Sequence, residues 1–340
     1  MGMGRYISQR LLWMVFVLFG LSLVTFLVSH MIPADPIRAA AGMHAAPEQV
    51  EALRRKYGMD KPLPQQYVLY MWNLVQGDLG NSIRGRRPVV EDLKQYFPAT
   101  LELALAALLL TVLIGVPIGV LSAVWPNSAV DHASRVTSLV GISMPSFWLG
   151  LLLLWLIYGT LELLPGAGRL DQLMDPPQTI TGMYTVDSLL TTNWETLGSS
   201  VRHLILPAVT LALASTAIVA RATRSSMLEI MNMDYIRTAR GKGLKERSII
   251  VGHAWRNALI PTVTLLGLQA GNLIAGVFLV EVIFSWPGLG SYAVRSTMSV
   301  DFPSIMGVTL VIAVVYVTAN LLVDLSYVAL DPRIRLGGEK

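Results

Sequence analysis

The chain has 340 residues, of which 53% are hydrophobic and only 14% are charged, with a formal net charge of +4. Soluble domains carry about 25% charged residues, and the apolar residues here are gathered into blocks, so a large soluble protein with buried helices is disfavoured. The sequence contains no cysteine, which excludes disulfides, cysteine-ligated iron–sulfur clusters and thiol catalysis.

Six apolar blocks are long enough to cross a bilayer, since about 20 helical residues span its hydrocarbon core. The first block, 11–32, is too long for the apolar region of a signal peptide, so we predict a retained helix. The other five are predicted at about 101–125, 136–161, 203–220, 259–284 and 305–328. Pro117, Pro145 and Pro207 interrupt three of them and are expected to kink those helices. The sequence therefore predicts an all-α integral membrane protein with six transmembrane helices.

Short loops rich in Lys and Arg indicate the cytoplasmic side of a membrane protein. This bias places both termini in the cytoplasm, as segments 1–10 and 329–340, together with the turn at 126–135 and the basic loop at 221–258. The acidic loop at 162–200 is placed outside. The segment at 33–98 is also placed outside; it carries nine bases against the bias, but loops longer than about 60 residues translocate largely regardless of charge.

The long external segment, 33–98, carries helix signals of its own. Residues 47–58 begin with proline, have acids early and bases late, and end at a glycine, which is typical of a short helix. A second helix is predicted at 65–76, followed by a turn at 77–82. The side chains expected to form the packing face of this second helix are Val68, Leu69, Met71, Trp72 and Val75. We therefore expect a small helical cap on the external side.

Motifs of catalysis are missing from the sequence. There is no glycine-rich phosphate loop, no G-x-S-x-G nucleophile elbow and no His/Glu pair at metal-ligand spacing on a helix. An enzyme active site, a bound metal, a bound cofactor and a nucleic-acid partner are therefore not expected. A six-span chain of this kind is a channel, a carrier, or the membrane part of a larger machine.

A few polar residues fall within the predicted spans, where ionisable groups are costly. Glu102, Glu281 and Asp324 lie near span ends, which favours hydration or pairing. Gln269 and Asn272 lie deeper and share a helix face. These two residues, with Glu281, are candidates for lining a solute pathway. Gln269 and Asn272 could equally form hydrogen bonds between helices, and the sequence leaves both interpretations open.

The basic loop has a distinctive centre. Residues 221–256 carry eight bases and three acids, and within them the segment 234–244 reads D-Y-I-R-T-A-R-G-K-G-L. Asp234 suits a helix N-terminus, and small residues from Thr238 to Gly243 leave the backbone approachable. Such a helix could dock in the groove of a partner protein. A basic loop could also contact anionic lipid headgroups, so both interpretations stay open.

The segment 234–244 resembles the cytoplasmic coupling motif of type I ABC importer permeases, in the form used by the dipeptide, oligopeptide and nickel branch. It departs from the general Glu-Ala-Ala form, since Arg237-Thr238-Ala239 keeps only the last alanine, with Gly243 four residues later. Other runs resemble the same branch over nearly the whole chain; they lie at 26–36, 77–82, 99–102, 253–261, 281–290, 320–324 and 331–335.

The resemblance implies a core permease domain at 99–328 and a machine of several subunits. The expected partners are a second homologous permease subunit, two ATP-binding subunits that use ATP and magnesium, an external solute-binding protein, a peptide substrate and membrane lipid. Residues expected to contact an ATPase subunit are Asp234, Tyr235, Arg237, Thr238, Ala239, Arg240, Lys242, Gly243 and Leu244. Among them, Arg237, Arg240 and Lys242 would supply charges at the rim, and Ala239 and Gly243 close backbone contact.

The external loop at 181–190 looks most like that of dipeptide permeases. The expected function is therefore ATP-driven import of dipeptides or short peptides across the bacterial inner membrane by alternating access. Importers of nickel, glutathione or longer oligopeptides share most of these runs and remain alternatives. An ion-coupled carrier with Glu281 or Asp324 in a proton relay is a more remote one.

Overall fold

The structure is a computed structural model that describes residues 3–31, 36–41 and 45–330. All regular secondary structure in this part of the chain is helical, apart from one isolated bridge between Asn81 and Pro88. This confirms the predicted all-α class. The expectations for residues 331–340 and for the side chain of Asp324 lie outside the described residues.

The helices that make up the predicted spans form the body of the protein. They are α1 (Met3–Met31), α5 (Val89–Leu110), α6 (Val116–Val124), α7 (Ala129–Ser143), α8 (Ser146–Leu153), α10 (Trp194–Met231), α13 (Trp255–Ile283) and α15 (Phe302–Leu330). A π-helical turn, Thr111–Gly115, joins α5 to α6, a second, Leu154–Thr160, extends α8, and a third, Ile249–Ala254, precedes α13.

The remaining helices lie between them in the chain. They are α2 (Pro36–Ala41), α3 (Pro47–Lys56), α4 (Leu63–Val75), α9 (Tyr184–Leu190), α11 (Asp234–Gly241), α12 (Glu246–Ser248) and α14 (Leu289–Met298). The helices α3 and α4 occupy the positions predicted for the two helices of the cap.

Four helices of the described chain are long and apolar enough to cross a membrane, and six spans result if each of two bent helix pairs counts as one. The predicted third span, 136–161, is not one helix. It breaks between α7 and α8 with a bend of 105°. Pro145 causes the break, because its ring disfavours helical geometry at the preceding residue, and Met144 is accordingly extended with ψ of 120°.

Two predicted spans are much longer in the structure. The second begins at Val89, twelve residues before the predicted start at 101, and the fourth is the 38-residue helix α10. Hydropathy marks only the apolar part of a helix, and the polar turns at either end of α10 continue the same helix. Pro98 in α5 and Pro207 in α10 lie inside helices without ending them.

The helix α10 lies at the centre of the protein and contacts α5, α6, α7 and α13. Its contact with α6 depends on glycine. A Cβ at Gly119 would lie 2.6 Å from the carbonyl oxygen of Ala220 and 2.7 Å from Cβ of Thr223, and one at Gly115 would lie 3.0 Å from the carbonyl oxygen of Thr216. Glycines four residues apart thus let the two backbones approach closely, as in other membrane helix pairs.

The cap packs differently from the sequence-based expectation. The helix α4 turns Tyr67 and Met71 towards α1, where both reach Ser22. Val68, Trp72 and Val75, which were predicted to pack, are instead 67%, 65% and 80% exposed. Of the five side chains available for a packing face, Met71 contacts α1 and Leu69 lies beside Gly58, whereas these three stay mostly exposed, because apolarity alone does not show which face of a helix is buried.

Candidate docking helix and buried polar networks

The segment predicted to dock a partner forms the helix α11, two residues after α10 ends. Asp234 lies in its first turn, where a carboxylate interacts favourably with the helix dipole. Ile236 and Ala239 are buried and face the interior of the protein. They join a cluster of buried residues from α6, α10, the third π-helical turn and α13, namely Ala123, Met227, Ile230, Ile249, Ala254 and Ala258. Apolar packing therefore holds α11 against the third π-helical turn, in one cluster with the ends of α6, α10 and α13.

Gly243 ends this helix in a left-handed conformation, with φ of 78°. The amide of Gly243 donates to the carbonyl of Arg240 at 2.9 Å, and the amide of Leu244 donates to the carbonyl of Ala239 at 3.3 Å. This pair of bonds is the Schellman arrangement, in which glycine is favoured because it has no Cβ. A Cβ at Gly243 would meet no atom within 4 Å. Within this chain, glycine is thus required by backbone conformation and not by crowding.

The remaining residues of the segment face outwards. Exposed positions are Asp234, Tyr235, Arg237, Thr238, Arg240, Lys242, Gly243 and Leu244. Arg237 lies 3.5 Å from Asp234 in an exposed ion pair, and Nε of Arg240 donates to Glu246 at 2.7 Å. The hydroxyl of Tyr235 accepts a hydrogen bond from Asn257 at 2.9 Å. The surface of α11 is therefore a small, mostly charged patch around Arg237 and Lys242.

The structure adds detail to two expectations for this segment, and both stay predictions. Close backbone contact with a partner was expected at Ala239, whose side chain is buried against the chain's own core. Arg240, expected as a rim charge, is exposed and paired with Glu246 at the start of the next helix. A helix of eight residues must bury one face to hold its position, and spacing in the sequence did not show which face that is.

A second feature near α11 was not found from the sequence. The carboxylate of Asp131, at the start of α7, is fully buried. It accepts hydrogen bonds from Nε of Arg224 at 2.6 Å and from Nη2 at 2.9 Å, and Arg135 lies 3.2 Å away. This bidentate pair ties α7 to the part of α10 that leads into α11. The only signal in the sequence was an aspartate close to a serine that can cap a helix. Both lie in the turn at 126–135, which was used above only to assign the orientation of the chain in the membrane.

The three candidates for lining a pathway are not brought together. Gln269 is buried, and its side-chain oxygen accepts a hydrogen bond from Ser215 of α10 at 2.9 Å. Asn272 is exposed. Of the two interpretations left open for Gln269, the structure shows the hydrogen bond between helices.

Glu281 lies near the end of α13 and is fully buried. Its carboxylate accepts hydrogen bonds from the hydroxyl of Thr100 at 2.6 Å and from the amide of Ser291 at 2.9 Å. A Cβ at Gly288 would collide with this carboxylate, and one at Gly290 would lie 3.0 Å from its Oε2 and 2.7 Å from Cα of Phe278. In this structure Glu281 therefore holds the loop between α13 and α14 in place and does not face an open path.

Trp286 completes the same arrangement. Its indole N–H donates to the carbonyl of Ala99 at 2.8 Å, and the amide of Leu289 donates to the hydroxyl of Thr100 at 2.7 Å. The run of residues from 281 to 290 and the run from 99 to 102 are therefore the two sides of one contact. Two motifs that were noted separately in the sequence are explained by this single packing site.

The carboxylate of Glu102 holds the loop at 162–200 in place. Its carboxylate accepts hydrogen bonds from Arg169 at 2.5 Å and from the amide and hydroxyl of Thr185 at 2.7 and 2.6 Å. The guanidinium of Arg169 also donates to the carbonyl of Gly182 at 2.9 Å and lies 3.7 Å from the ring centre of Tyr184. The expectation that Glu102 is paired is confirmed. The sequence offered one signal for the partner of Glu102, since Arg169 is the only base in the acidic loop at 162–200.

Asp187 organises the same loop locally. It accepts hydrogen bonds from the amides of Ile180, Thr181 and Gly182 and from the hydroxyl of Thr181, at 2.7 to 3.3 Å. Burial by itself would raise the pKa of Asp187, but the hydrogen bonds to its charged form outweigh burial and lower the pKa below its ordinary value. The loop from Ile180 to Ser188 is thus held by a carboxylate that stays ionised.

Among the described residues, no group of three or more His, Asp or Glu side chains is placed to hold a metal ion. The buried polar groups described above are satisfied chiefly by each other and by the backbone. The described chain is thus a set of apolar helices with one short, partly charged helix, α11, exposed at one end.

Comparison with known proteins gives matches along the whole chain. A family model described as binding-protein-dependent transport system inner membrane component matches residues 115–336, and a model for the N-terminal part of such components matches residues 3–104.

Three similar proteins cover almost the full length. The probable D,D-dipeptide transport system permease protein DdpB of Escherichia coli (strain K12) is 50% identical, with 98% of each chain covered. The dipeptide transport system permease protein DppB of Alkalihalophilus pseudofirmus is 43% identical, covering 98% of this chain and 100% of that one. The glutathione transport system permease protein GsiC of Escherichia coli O6:H1 is 38% identical, covering 98% and 99%. The similarity runs from the first helix to the last and is not confined to the motifs.

Proposed function

Because this chain belongs to the family of binding-protein-dependent transport system inner membrane components, we propose that it forms the translocation pathway of a dipeptide importer together with a second, homologous permease subunit. It is a multi-pass membrane protein and a transport subunit, not an enzyme. Energy would come from two separate ATP-binding subunits that use ATP and magnesium. An external solute-binding protein would deliver the peptide.

The observation that carries the coupling proposal is the packing of α11. One face of the helix, with Ile236 and Ala239, packs against the third π-helical turn and joins an apolar cluster with the ends of α6, α10 and α13, and the opposite face is exposed and charged. A force applied to the exposed face would therefore be transmitted through this cluster to the long helices. We propose that the ATPase subunits bind this face, with Arg237 and Lys242 at the rim, and that the side bearing α11 is cytoplasmic.

The pair formed by Asp131 and Arg224 would transmit a movement of α11 to α7, the first half of the bent third span. The helix α10 leads directly into α11, and the bidentate bonds tie α10 to α7. Close packing at Gly115 and Gly119 ties α6 to the same helix. Movement of α11 would then shift α6, α7 and α10 together, which is the kind of rigid-body change that alternating access requires.

The substrate proposal rests on the relatives. The two with the higher identity are described as dipeptide or D,D-dipeptide permeases, and one at 38% identity as a glutathione permease. Dipeptides are therefore the preferred substrate class. Glutathione is the second candidate, and nickel or longer oligopeptides follow from the wider branch.

The test is uptake of a labelled dipeptide into vesicles that contain the full assembly and the binding protein, with ATP inside or absent. We expect uptake only with ATP and magnesium present. Uptake that is independent of ATP but follows a proton gradient would contradict the proposal and favour the ion-coupled carrier. ATP-driven uptake of glutathione or nickel, with none of dipeptide, would keep the importer and change its substrate.

A further inference from the structure

The helix α4 has an unusual surface. None of its thirteen residues is charged. Val68, Trp72 and Val75 recur at the spacing of one helix face and are all mostly exposed. A stripe of this kind on a helix outside the six spans is poorly suited to water, and a tryptophan in it is typical of the boundary between lipid and water.

The contacts of α4 with α1 define its depth. The hydroxyl of Ser22 lies 3.0 Å from the hydroxyl of Tyr67 and 3.5 Å from the sulfur of Met71. The ring of Phe19 lies 6.2 Å from that of Tyr67. Ser22 precedes the outer end of α1, Met31, by nine residues, which is about 13 Å at about 1.5 Å per residue.

The hydrocarbon core of a bilayer is about 30 Å thick. The side chains of α4 thus reach into the outer half of the span formed by α1, and the helix lies at the level of the outer leaflet. The face of α1 that is turned away from α4 is also apolar and exposed, at Val24 and Val28. Both this face and the stripe on α4 are suited to lipid.

A cavity of about 390 Å³ lies between α4, α1 and the start of α15. Apolar side chains, among them Phe26, Tyr70 and Met306, line one part of it. Arg55, Lys56 and Lys61 line another part. All three bases are exposed, and within the described part of the chain neither Lys56 nor Lys61 has an ion-pair partner. A cavity with an apolar floor and a basic rim at the surface of a membrane suits an amphiphile with an anionic head.

We propose that α4 is an interfacial helix embedded in the outer leaflet and that the cavity behind it binds an anionic phospholipid, with the phosphate held by Arg55, Lys56 and Lys61. The acyl chains extend from the apolar lining of the cavity, at Phe26, Tyr70 and Met306, into the leaflet. A lipid fits better than a protein partner, because the contacts with α1 place α4 at hydrocarbon depth and the bases lie at the rim of the cavity beside it. This inference is independent of the transported solute.

The first test measures the surroundings of the stripe. Since the chain has no cysteine, a spin label can be placed at one position by Trp72→Cys or Val75→Cys, in an assembly whose other subunits have no reactive cysteine. The labelled assembly in vesicles is exposed to oxygen, which concentrates in lipid, and to a water-soluble nickel chelate. We expect high oxygen access and low chelate access at both positions. The matched control is Glu48→Cys on the exposed face of α3, where chelate access should be high.

Either of two results would overturn the interfacial assignment. Chelate access at Val75 equal to that at Glu48 would mean that the stripe faces water. Low access to both reagents would mean that another protein subunit covers it. Two variants are used so that a local effect of removing the tryptophan is not mistaken for either result.

The second test measures lipid bound to the purified assembly by native mass spectrometry, with phosphatidylglycerol or phosphatidylcholine supplied. The double variant Arg55→Gln/Lys61→Gln should weaken phosphatidylglycerol binding by about tenfold or more, since each base near a membrane surface contributes about 1 kcal/mol. The control Arg84→Gln/Lys94→Gln removes the same charge from exposed positions outside the cavity and should leave binding unchanged.

Equal retention of the two lipids, or an equal loss in the control variant, would overturn the proposed headgroup site. Inorganic phosphate is added in a further arm. Displacement of the lipid by phosphate at millimolar concentration would show a site for a small free anion and would also overturn the lipid assignment. Retention of phosphatidylglycerol under that challenge is the expected result.

Discussion

The two ends of the protein hold their charged groups in different ways. At the end that carries α11, this helix buries Ile236 and Ala239 and exposes its charges, and the buried ion pair described there joins α7 to α10. At the other end, the loops bury charged and polar groups, with Glu102 bound to Arg169 and Glu281 bound to Thr100, together with apolar side chains such as Trp286. The charges of α11 are therefore available to a partner, whereas those of the loops are already paired within the chain.

The largest effect is expected from breaking the external ion pair. Arg169→Met removes the guanidinium from a buried carboxylate, and breaking a buried pair from one side costs about 3–5 kcal/mol. The purified assembly should therefore unfold at a clearly lower temperature, and the loop at 162–200 should become sensitive to protease. The matched control is Arg237→Met, which breaks the exposed pair on α11 and should cost about 0–1 kcal/mol. Equal shifts for the two variants would remove the distinction between the ends.

Removing the apolar anchor of α11 comes next. Ile236→Ala at a fully buried position costs roughly 2–5 kcal/mol, towards the lower figure where neighbours can close the gap. We expect ATP-dependent uptake to fall more than tenfold while the chain still inserts in the membrane, because α11 loses its fixed position. Thr238→Ala, on the exposed face of the same helix, keeps α11 in place and removes one hydroxyl from the proposed contact, so it should lower uptake less than Ile236→Ala. Normal coupling in Ile236→Ala would show that the inward packing is not needed.

A smaller effect on stability is expected from lowering the pH, which acts on Asp187 in the loop at 162–200. The hydrogen bonds to Asp187 lower its pKa below the ordinary value of about 3.9. Their stabilisation is therefore complete above about pH 4 and is lost as the pH falls through the lowered folded value. Asp187→Asn should lower the local stability of the loop at 162–200 by roughly 1.5–3 kcal/mol at neutral pH, which makes the loop more sensitive to protease. The difference in protease sensitivity from the unmodified chain should shrink in acid.

The control for that experiment is Asp175→Asn, an exposed aspartate in the same loop, which should change nothing at either pH. If Asp187→Asn were as resistant as the unmodified chain at neutral pH, the loop would be held by other contacts. The opposite trend, with the difference growing in acid, would contradict the direction of the pKa shift.

The smallest effect is expected at Gly243, where the cost comes from backbone conformation alone. With φ of 78° and no atom within 4 Å of an added Cβ, Gly243→Ala should cost about 1 kcal/mol, and Gly243→Asn less, since asparagine tolerates this conformation. Uptake should follow the same order. If Gly243→Asn instead abolished uptake with the subunit still folded, the position would be crowded by the bound ATPase, and the role of Gly243 would be close approach.

The sequence predicted the helical class and the place of α11, but not the direction in which its side chains point. Hydropathy identifies a span because about 20 apolar residues suffice, so the polar ends of α10 were missed, and the kink predicted at Pro145 proved to be a break with a bend of 105°. Glu102 and Arg169 are 67 residues apart, and Asp131 and Arg224 are 93 apart. No local pattern links such pairs. The buried face of α4 could not be chosen from its sequence, because apolar residues occur on more than one of its faces.

The most direct test of the proposed coupling is cross-linking from the exposed face of α11. A single cysteine is introduced by Arg237→Cys in a chain that has none, and a short photoactivated cross-linker is attached in the transporting assembly. The expected product joins this chain to an ATPase subunit and changes in yield when ATP binds, whereas Glu48→Cys on the external cap gives no such product. An assembly that transports normally but never yields this product from Arg237→Cys would contradict the docking of the ATPases on α11.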